Sequence, residues 1–265
     1  MILAVLVFLW GLIIGSLLNV IALRLPEIVS QHNDTGNFAA VIKGLSVPAS
    51  HCPMCKTKLR WFELIPVASY LLQRGKCNTC NESISIQYPL VEAICGFLAL
   101  WCYMHYPLFE AFFLFIFLSG LLLLAVIDFN TQTLPDEITL PLLWLGLLVN
   151  LNSSFCTLEA SVLGAVAGYL SLWLVYQVHL NLSGRQGLGF GDFKLFAAIG
   201  AWLGWNQLPL ILLLGALGGI LYFGVLMLLK KINTSTPIAF GPFLALGAFL
   251  SLILPLVKFL SGVLL

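Results

Sequence analysis

Charge is scarce in this chain: Asp, Glu, Lys and Arg make up 9% of its 265 residues, while hydrophobic residues make up 60%. Globular chains carry about 25% charged residues, so this composition excludes a water-soluble core as the home of all the apolar surface. The bilayer has to be part of the solvent, and membrane lipid is an obligatory partner. The formal net charge of +1 excludes a global pull toward nucleic acid, which leaves charge placement as the informative quantity. No basic residue precedes the first apolar run, Ile2 to Leu23, and no small-x-small cleavage site follows it. The expectation is a retained span and not a removed signal peptide. Internal repeats and low-complexity tracts are missing too.

A helix needs roughly 20 mainly apolar residues to cross a hydrocarbon core of about 30 Å. Such runs fall near 2–23, 89–106, 108–127, 138–151, 157–178, 193–206, 207–229 and 238–264. The fourth and sixth are short, and 193–229 is continuous, divided only by the turn-like cluster Trp205-Asn-Gln-Leu-Pro209; seven spans are the alternative. With eight spans and the N-terminus outside, eleven of the twelve Lys and Arg fall on one side. They are Arg24, Lys43, Lys56, Lys58, Arg60, Arg74 and Lys76 in the loop 24–88, Arg185 and Lys194 about the 179–192 region, and Lys230 and Lys231 in the loop 230–237. Only Lys258 lies near the other face, and the outer loop 150–156 has no basic residue. Basic loops stay cytoplasmic. The expected fold is therefore an all-α polytopic membrane protein of about eight transmembrane helices, with a cytoplasmic zinc-ribbon-like loop between the first two. The expected divisions are a first transmembrane helix over 1–23, a loop domain over 24–88, and a membrane core over 89–265. Part of the polar stretch Glu27 to Ser50 is expected to be mobile.

Four of the seven cysteines form two knuckles, Cys52-Pro-Met-Cys55 and Cys77-Asn-Thr-Cys80, separated by 21 residues. Each knuckle aims two thiolates at one point, and four thiolates complete a tetrahedron around zinc with no position left for water. Such a site is structural, and metal binding supplies folding free energy that so small a loop lacks. Redox-active or unliganded thiol pairs are the plainer alternative, and an iron–sulfur centre is another. His51, beside Cys52, reads as a loop residue. Cys95, Cys102 and Cys156 are left over, the first two in an apolar run where cysteine acts as a small hydrophobe.

Two carboxylates stand at membrane boundaries. Asp128 follows Leu121-Leu-Leu-Leu-Ala-Val-Ile127, and Asp192 closes Gly187-Leu-Gly-Phe-Gly-Asp192 just before another apolar run. The orientation argument puts both at the cytoplasmic mouth, one span running inward to Asp128 and another outward from Asp192. Ionisable groups at membrane depth are costly and mark function. Two carboxylates a few ångströms apart cannot both ionise easily, so one keeps a proton while the other is anionic. That division suits peptide hydrolysis, in which the anion activates water and the acid polarises the carbonyl. Gly187, Gly189 and Gly191 would let backbone approach closely. The plainer alternatives are a helix N-cap for Asp192 and an ordinary interfacial helix-end residue for Asp128. Asp136 and Glu137 look like first-turn charges of the fourth span, and Asp136 is the reserve candidate should Asp128 fail.

Taken together, these residues resemble the type IV prepilin peptidase family. The resemblance is carried by Gly15-Ser-Leu-Leu-Asn-Val20, Arg24-Leu-Pro26, Ser50-His-Cys-Pro-Met-Cys55, Trp61-Phe-Glu63, Ile65-Pro66, Ser69-Tyr-Leu71, Arg74-Gly-Lys-Cys77 and Tyr88-Pro-Leu-Val-Glu92. It continues through Ile127-Asp128, Leu134-Pro-Asp136, Leu142-Leu-Trp-Leu-Gly146, Gly189-Phe-Gly-Asp-Phe-Lys194 and Gly200-Ala-Trp-Leu-Gly204. Leu64, Gln87 and Asn81 stand where the family commonly has asparagine, arginine and glycine. The resemblance implies an inner-membrane aspartyl endopeptidase with Asp128 and Asp192 as its catalytic residues and Cys52, Cys55, Cys77 and Cys80 as zinc ligands. It further implies prepilins or pseudopilins of type IV pilus and type II secretion systems as substrates, cut on the cytoplasmic side after a glycine. The new N-terminus would be methylated from S-adenosylmethionine, for which the sequence offers no glycine-rich fingerprint.

The main rival is a proton-coupled membrane transporter relaying protons through the paired carboxylates, but such sites sit near the midplane of repeated folds. A zinc enzyme would need an open metal position, which four cysteines do not leave. A scaffold that only docks secretion partners would tolerate loss of either aspartate.

Overall fold

The computed structural model describes residues 2–31, 41, 44–47, 49–184, 187, 189–229 and 239–254. Lys43, Arg185, Lys230, Lys231 and Lys258, the loop 230–237, most of the stretch expected to be mobile, and the end of the last apolar run lie outside the described residues. The long helices are α1 (Ile2–Gln31), α3 (Gln87–His105), α4 (Leu108–Thr131), α5 (Asp136–Val149), α6 (Leu158–Ser183), α7 (Phe190–Leu203), α8 (Leu208–Leu228) and α9 (Gly241–Ile253). Between α1 and α3 come a 3-10 turn, Trp61–Leu64, and the short α2, Ala68–Leu72. Among the described residues there is no strand, only the isolated bridges His51↔Lys58 and Lys76↔Ser83.

Among the described residues, four helical stretches are long and apolar enough to cross a membrane: Ile2–Ser30, Leu108–Thr131, Leu158–Ser183 and Trp205–Leu228. The α1 helix outlasts its apolar run, continuing through Pro26 to Gln31. Fourteen residues, the length of α5 and of α7, rise about 21 Å, short of a hydrocarbon core of about 30 Å. The continuous run 193–229 breaks at Gly204, whose φ of 80° suits a residue without Cβ. The 3-10 turn Trp205–Gln207 follows, and α8 opens with Pro209 in its first turn.

The chain divides into two compact units, Met1–Leu123 and Leu124–Leu265. In the first, α1 and α3 lie against each other through small residues. A Cβ on Gly11 would come within 2.7 Å of Ala99 Cβ, and one on Gly15 within 2.6 Å of the Glu92 Cα, the close approach that glycine permits between membrane helices. Buried Asn19 donates from Nδ2 to the Tyr88 carbonyl at 3.0 Å. Cys95 and Cys102 are buried as small apolar residues in this unit.

In the second unit α7 is the central element. Every residue from Leu195 to Leu203 is buried, as expected of a helix apolar on all sides. Gly164 and Gly200 bring α6 and α7 into backbone contact, and Gly146 of α5 leaves room for Trp202. Trp202 donates from Nε1 to the Leu142 carbonyl at 2.8 Å. Asn150 closes the far end of α7: its Nδ2 donates to the carbonyls of Ala201 and Trp202 at 2.9 and 3.0 Å, and its Oδ1 accepts from Phe155 N–H at 3.0 Å. The Ser161 hydroxyl also donates to the Ala201 carbonyl, so side chains satisfy carbonyls that lack a helical partner at this buried helix end.

Candidate active site and metal centre

The two cysteine knuckles fold alike. Cys52 N–H donates to Thr57 O at 3.0 Å and Lys56 N–H to Cys52 O at 3.0 Å; Cys77 N–H donates to Glu82 O at 2.9 Å and Asn81 N–H to Cys77 O at 2.9 Å. The residue after each second cysteine, Lys56 or Asn81, turns the chain with φ of 58° or 56°. That is the left-handed region, where asparagine is better tolerated than most residues and glycine best. All four Sγ atoms lie within 4.8 Å of one another, and those of Cys52 and Cys80 are 3.8 Å apart. Zinc–sulfur bonds of about 2.3 Å put the edges of a tetrahedron near 3.8 Å, so the thiols fit a structural zinc ion. The Thr57 hydroxyl, 3.3 Å from Cys55 Sγ, holds that thiol down to about 6, closer to the thiolate a metal needs. His51 is not in the cluster, and its Nδ1 lies 3.0 Å from the Ala49 carbonyl.

Asp128 sits near the end of α4 and Asp192 in the first turn of α7, 64 positions apart in sequence. Both are buried, and they are close enough to interact electrostatically. Among the described residues neither forms an ion pair with a basic side chain. Asp128 Oδ2 accepts the Gly241 N–H at 2.9 Å, a free donor of the α9 N-terminus. A Cβ on Gly241 would stand 2.7 Å from the same oxygen. Asp192 Oδ2 accepts the Gly189 N–H at 3.3 Å, while its Oδ1 is buried without a partner. Asp192 is not the N-cap: α7 starts at Phe190 on an extended Gly189, which makes Asp192 the third helical residue. The Phe190 ring, packed on Tyr176 and Phe193, anchors that earlier start.

Of the three glycines before Asp192, only Gly189 reaches the carboxylate. Gly191 makes room for Leu134 and Gly187 for His179. Asp136 is drawn away from the buried pair: both of its carboxylate oxygens accept from Lys194 Nζ at 2.7 Å, at a half-exposed position. The Leu134-Pro-Asp136 segment is thus fixed to the first turn of α7 by a tight contact and an ion pair. The Gly241 donor escaped sequence reasoning; its signal was Gly241-Pro242 opening an apolar run, a helix-start pattern.

A family model described as the bacterial peptidase A24 N-terminal domain matches residues 9–106, and one described as the type IV leader peptidase family matches residues 115–224. Several curated relatives named prepilin leader peptidase/N-methyltransferase are similar along most of the chain. One from Stutzerimonas stutzeri is 42% identical over 253 residues, 92% of this chain and 88% of the relative. One from Pectobacterium carotovorum subsp. carotovorum is 44% identical over 256 residues, 92% and 90% respectively. A third, from Pseudomonas aeruginosa, is 39% identical over 253 residues, 92% and 87%. No solved structure matches the chain.

Proposed function

The chain belongs to the type IV leader peptidase family, and from that premise we propose that it hydrolyses prepilin or pseudopilin leaders with Asp128 and Asp192 as one acid–base pair. It is a multi-pass inner-membrane enzyme, a prepilin leader peptidase with an associated N-methyltransferase. The observation that carries the aspartyl mechanism is the pair itself, two buried carboxylates that feel each other's charge and lack a basic counter-ion among the described residues. Such a pair is too costly to keep for structure alone and lowers its energy by holding a single proton.

In this mechanism the pair titrates as a unit. The anionic carboxylate takes a proton from water as its oxygen attacks the scissile carbonyl, and the protonated one donates to the carbonyl oxygen. Collapse of the tetrahedral adduct then returns a proton to the leaving amine. The unpartnered Asp192 Oδ1 is the atom available to water or to the scissile group, and the Gly241 N–H holds the Asp128 carboxylate in register. Cleavage follows a glycine on the cytoplasmic side, the side that collects the basic loops when about eight helices cross the membrane. The four-cysteine zinc site braces the loop between α1 and α3 and takes no part in hydrolysis.

Methylation of the new N-terminus uses S-adenosylmethionine, which supplies an electrophilic methyl group. Among the described residues no strand carries a glycine-rich turn that would cradle such a nucleotide, so no residue is assigned to the donor. The test is cleavage of a prepilin by purified protein in detergent, comparing wild type with Asp128→Asn and Asp192→Asn at matched zinc content. Loss of cleavage in both is expected; full cleavage in either would remove that residue from the pair. Proton transport that depends on the aspartates, without cleavage, would favour the transporter reading.

A further inference from the structure

Between the two knuckles the chain exposes apolar side chains that neither the metal site nor the helices cover. Trp61 is 79% exposed, Leu71 68% and Leu72 83%, and Phe62, Leu64 and Ile65 are exposed as well. All but Ile65, which follows the turn, belong to the Trp61–Leu64 turn or to α2, which pack on each other. A loop made only for water has no reason to gather six such residues within twelve positions.

The depth at which this segment is held says what covers it. Val67, at its middle, donates its backbone N–H to Glu92 Oε2 at 2.7 Å. The Glu92 Cα in turn lies against Gly15 of α1. Gly15 is eight residues before Leu23, where the apolar run of α1 ends, about 12 Å at a helical rise of 1.5 Å per residue. The Glu92 side chain leans back toward the start of α3, yet it is too short to span that distance. The Trp61–Leu72 segment is therefore tethered inside the depth of the α1 apolar run. Ile86 and Leu90, one turn apart at the start of α3, are exposed apolar residues as well.

Charge agrees with depth. Lys58 and Arg60 precede the segment, Arg74 and Lys76 follow it, and Glu63 is the one acid between them. Glu63 is already engaged: its oxygens accept the Arg60 N–H and Asn78 Nδ2, both at 2.7 Å. A tryptophan and leucines flanked by lysine and arginine are what the boundary between acyl chains and anionic headgroups recruits.

We propose that the Trp61–Leu72 segment is an interfacial anchor. Its apolar side chains lie in the headgroup–acyl boundary of the bilayer, and the flanking lysines and arginines engage anionic phospholipid, so that the metal loop rests on the membrane. The anchor goes beyond the peptidase reading and does not depend on Asp128 or Asp192.

The test uses the full zinc-loaded chain in nanodiscs of phosphatidylcholine and phosphatidylglycerol, with acyl chains brominated at the shallow 6,7 positions. The protein has seven tryptophans, so the Trp61 signal is the difference between wild type and Trp61→Phe. The expected signal is blue-shifted, quenched at least twofold by the brominated lipid, and sheltered from aqueous acrylamide. In a Leu71→Glu, Leu72→Glu double variant that retains zinc, the quenching falls by half or more. A Trp61 signal open to acrylamide and untouched by brominated lipid would overturn the proposal. So would shelter from acrylamide that arises only on adding a prepilin, which would give the surface to substrate, or shielding lost at one chain per nanodisc, which would give it to a second copy.

Discussion

Replacing Gly241 with alanine puts a methyl group where the Asp128 carboxylate lies. The new Cβ would stand 2.7 Å from Oδ2 and 3.3 Å from Cγ. Ordinary contact begins near 3.4 Å, so either the carboxylate or the start of α9 has to move by about 0.7 Å. Both movements stretch the 2.9 Å bond from the Gly241 N–H, and a hydrogen bond to a charged group contributes about 1.5–3 kcal/mol. Misplacing a reacting group by about 1 Å costs on the order of 100-fold in rate. Gly241→Ala is therefore expected to lower kcat for prepilin cleavage about 10–100-fold. Gly189→Ala is the matched control. Its Cβ would lie 3.4 Å from Asp192 Oδ2 on a backbone with φ of −81°, so its kcat should stay within about threefold of wild type. Steady-state cleavage of a synthetic prepilin peptide reads both, with thermal unfolding to verify that each variant is folded. Wild-type kcat in Gly241→Ala, or an equal fall in Gly189→Ala, would refute the role given to the Gly241 contact.

The Asp136–Lys194 pair is too exposed to matter much for stability, on the order of 1 kcal/mol or less, yet it fixes the turn that carries Asp192. Asp136→Asn and Lys194→Met should each lower kcat about 3–10-fold with KM unchanged, and the charge-swapped double variant should recover part of the loss; a rise in KM alone would contradict this. Metal analysis should find about one zinc per chain, lost in Cys52→Ser, and a metal-free chain with intact thiols would sink the structural-zinc assignment. Asn81→Gly, which relieves a φ of 56°, should stabilise the loop by up to about 1 kcal/mol, read as slower zinc release to a chelator.

Elements with a local signature were legible in the sequence. The apolar runs carry helices, the turn-like cluster at Trp205 to Pro209 does separate α7 from α8, and the two C-x-x-C knuckles meet because each folds within a handful of residues. The sequence left other features hidden for physical reasons. A run of apolar residues does not say whether lipid or protein surrounds it, so α7, sheathed by its neighbours, read as an ordinary short span. Helix starts depend on side-chain packing, and the Phe190 ring stack moved Asp192 from the cap into the first turn. The Gly241 contact joins residues 113 positions apart, and the Glu92–Val67 bond joins an apolar helix to a loop. Neither leaves a periodic trace. Asp136 was the reserve candidate on position alone, and its pairing with Lys194 across 58 positions is likewise a tertiary fact.

Cleavage in the proposed mechanism requires Asp128 and Asp192 to act as one unit. The most direct measurement is single-turnover cleavage of a prepilin by Asp128→Asn, by Asp192→Asn and by the double variant, each in the same membrane mimetic and with equal zinc. A shared proton between paired carboxylates predicts the same residual rate for all three, since losing either partner already disables the pair. Two independent losses that multiply in the double variant, or a single variant that still cleaves at the wild-type rate, would contradict it.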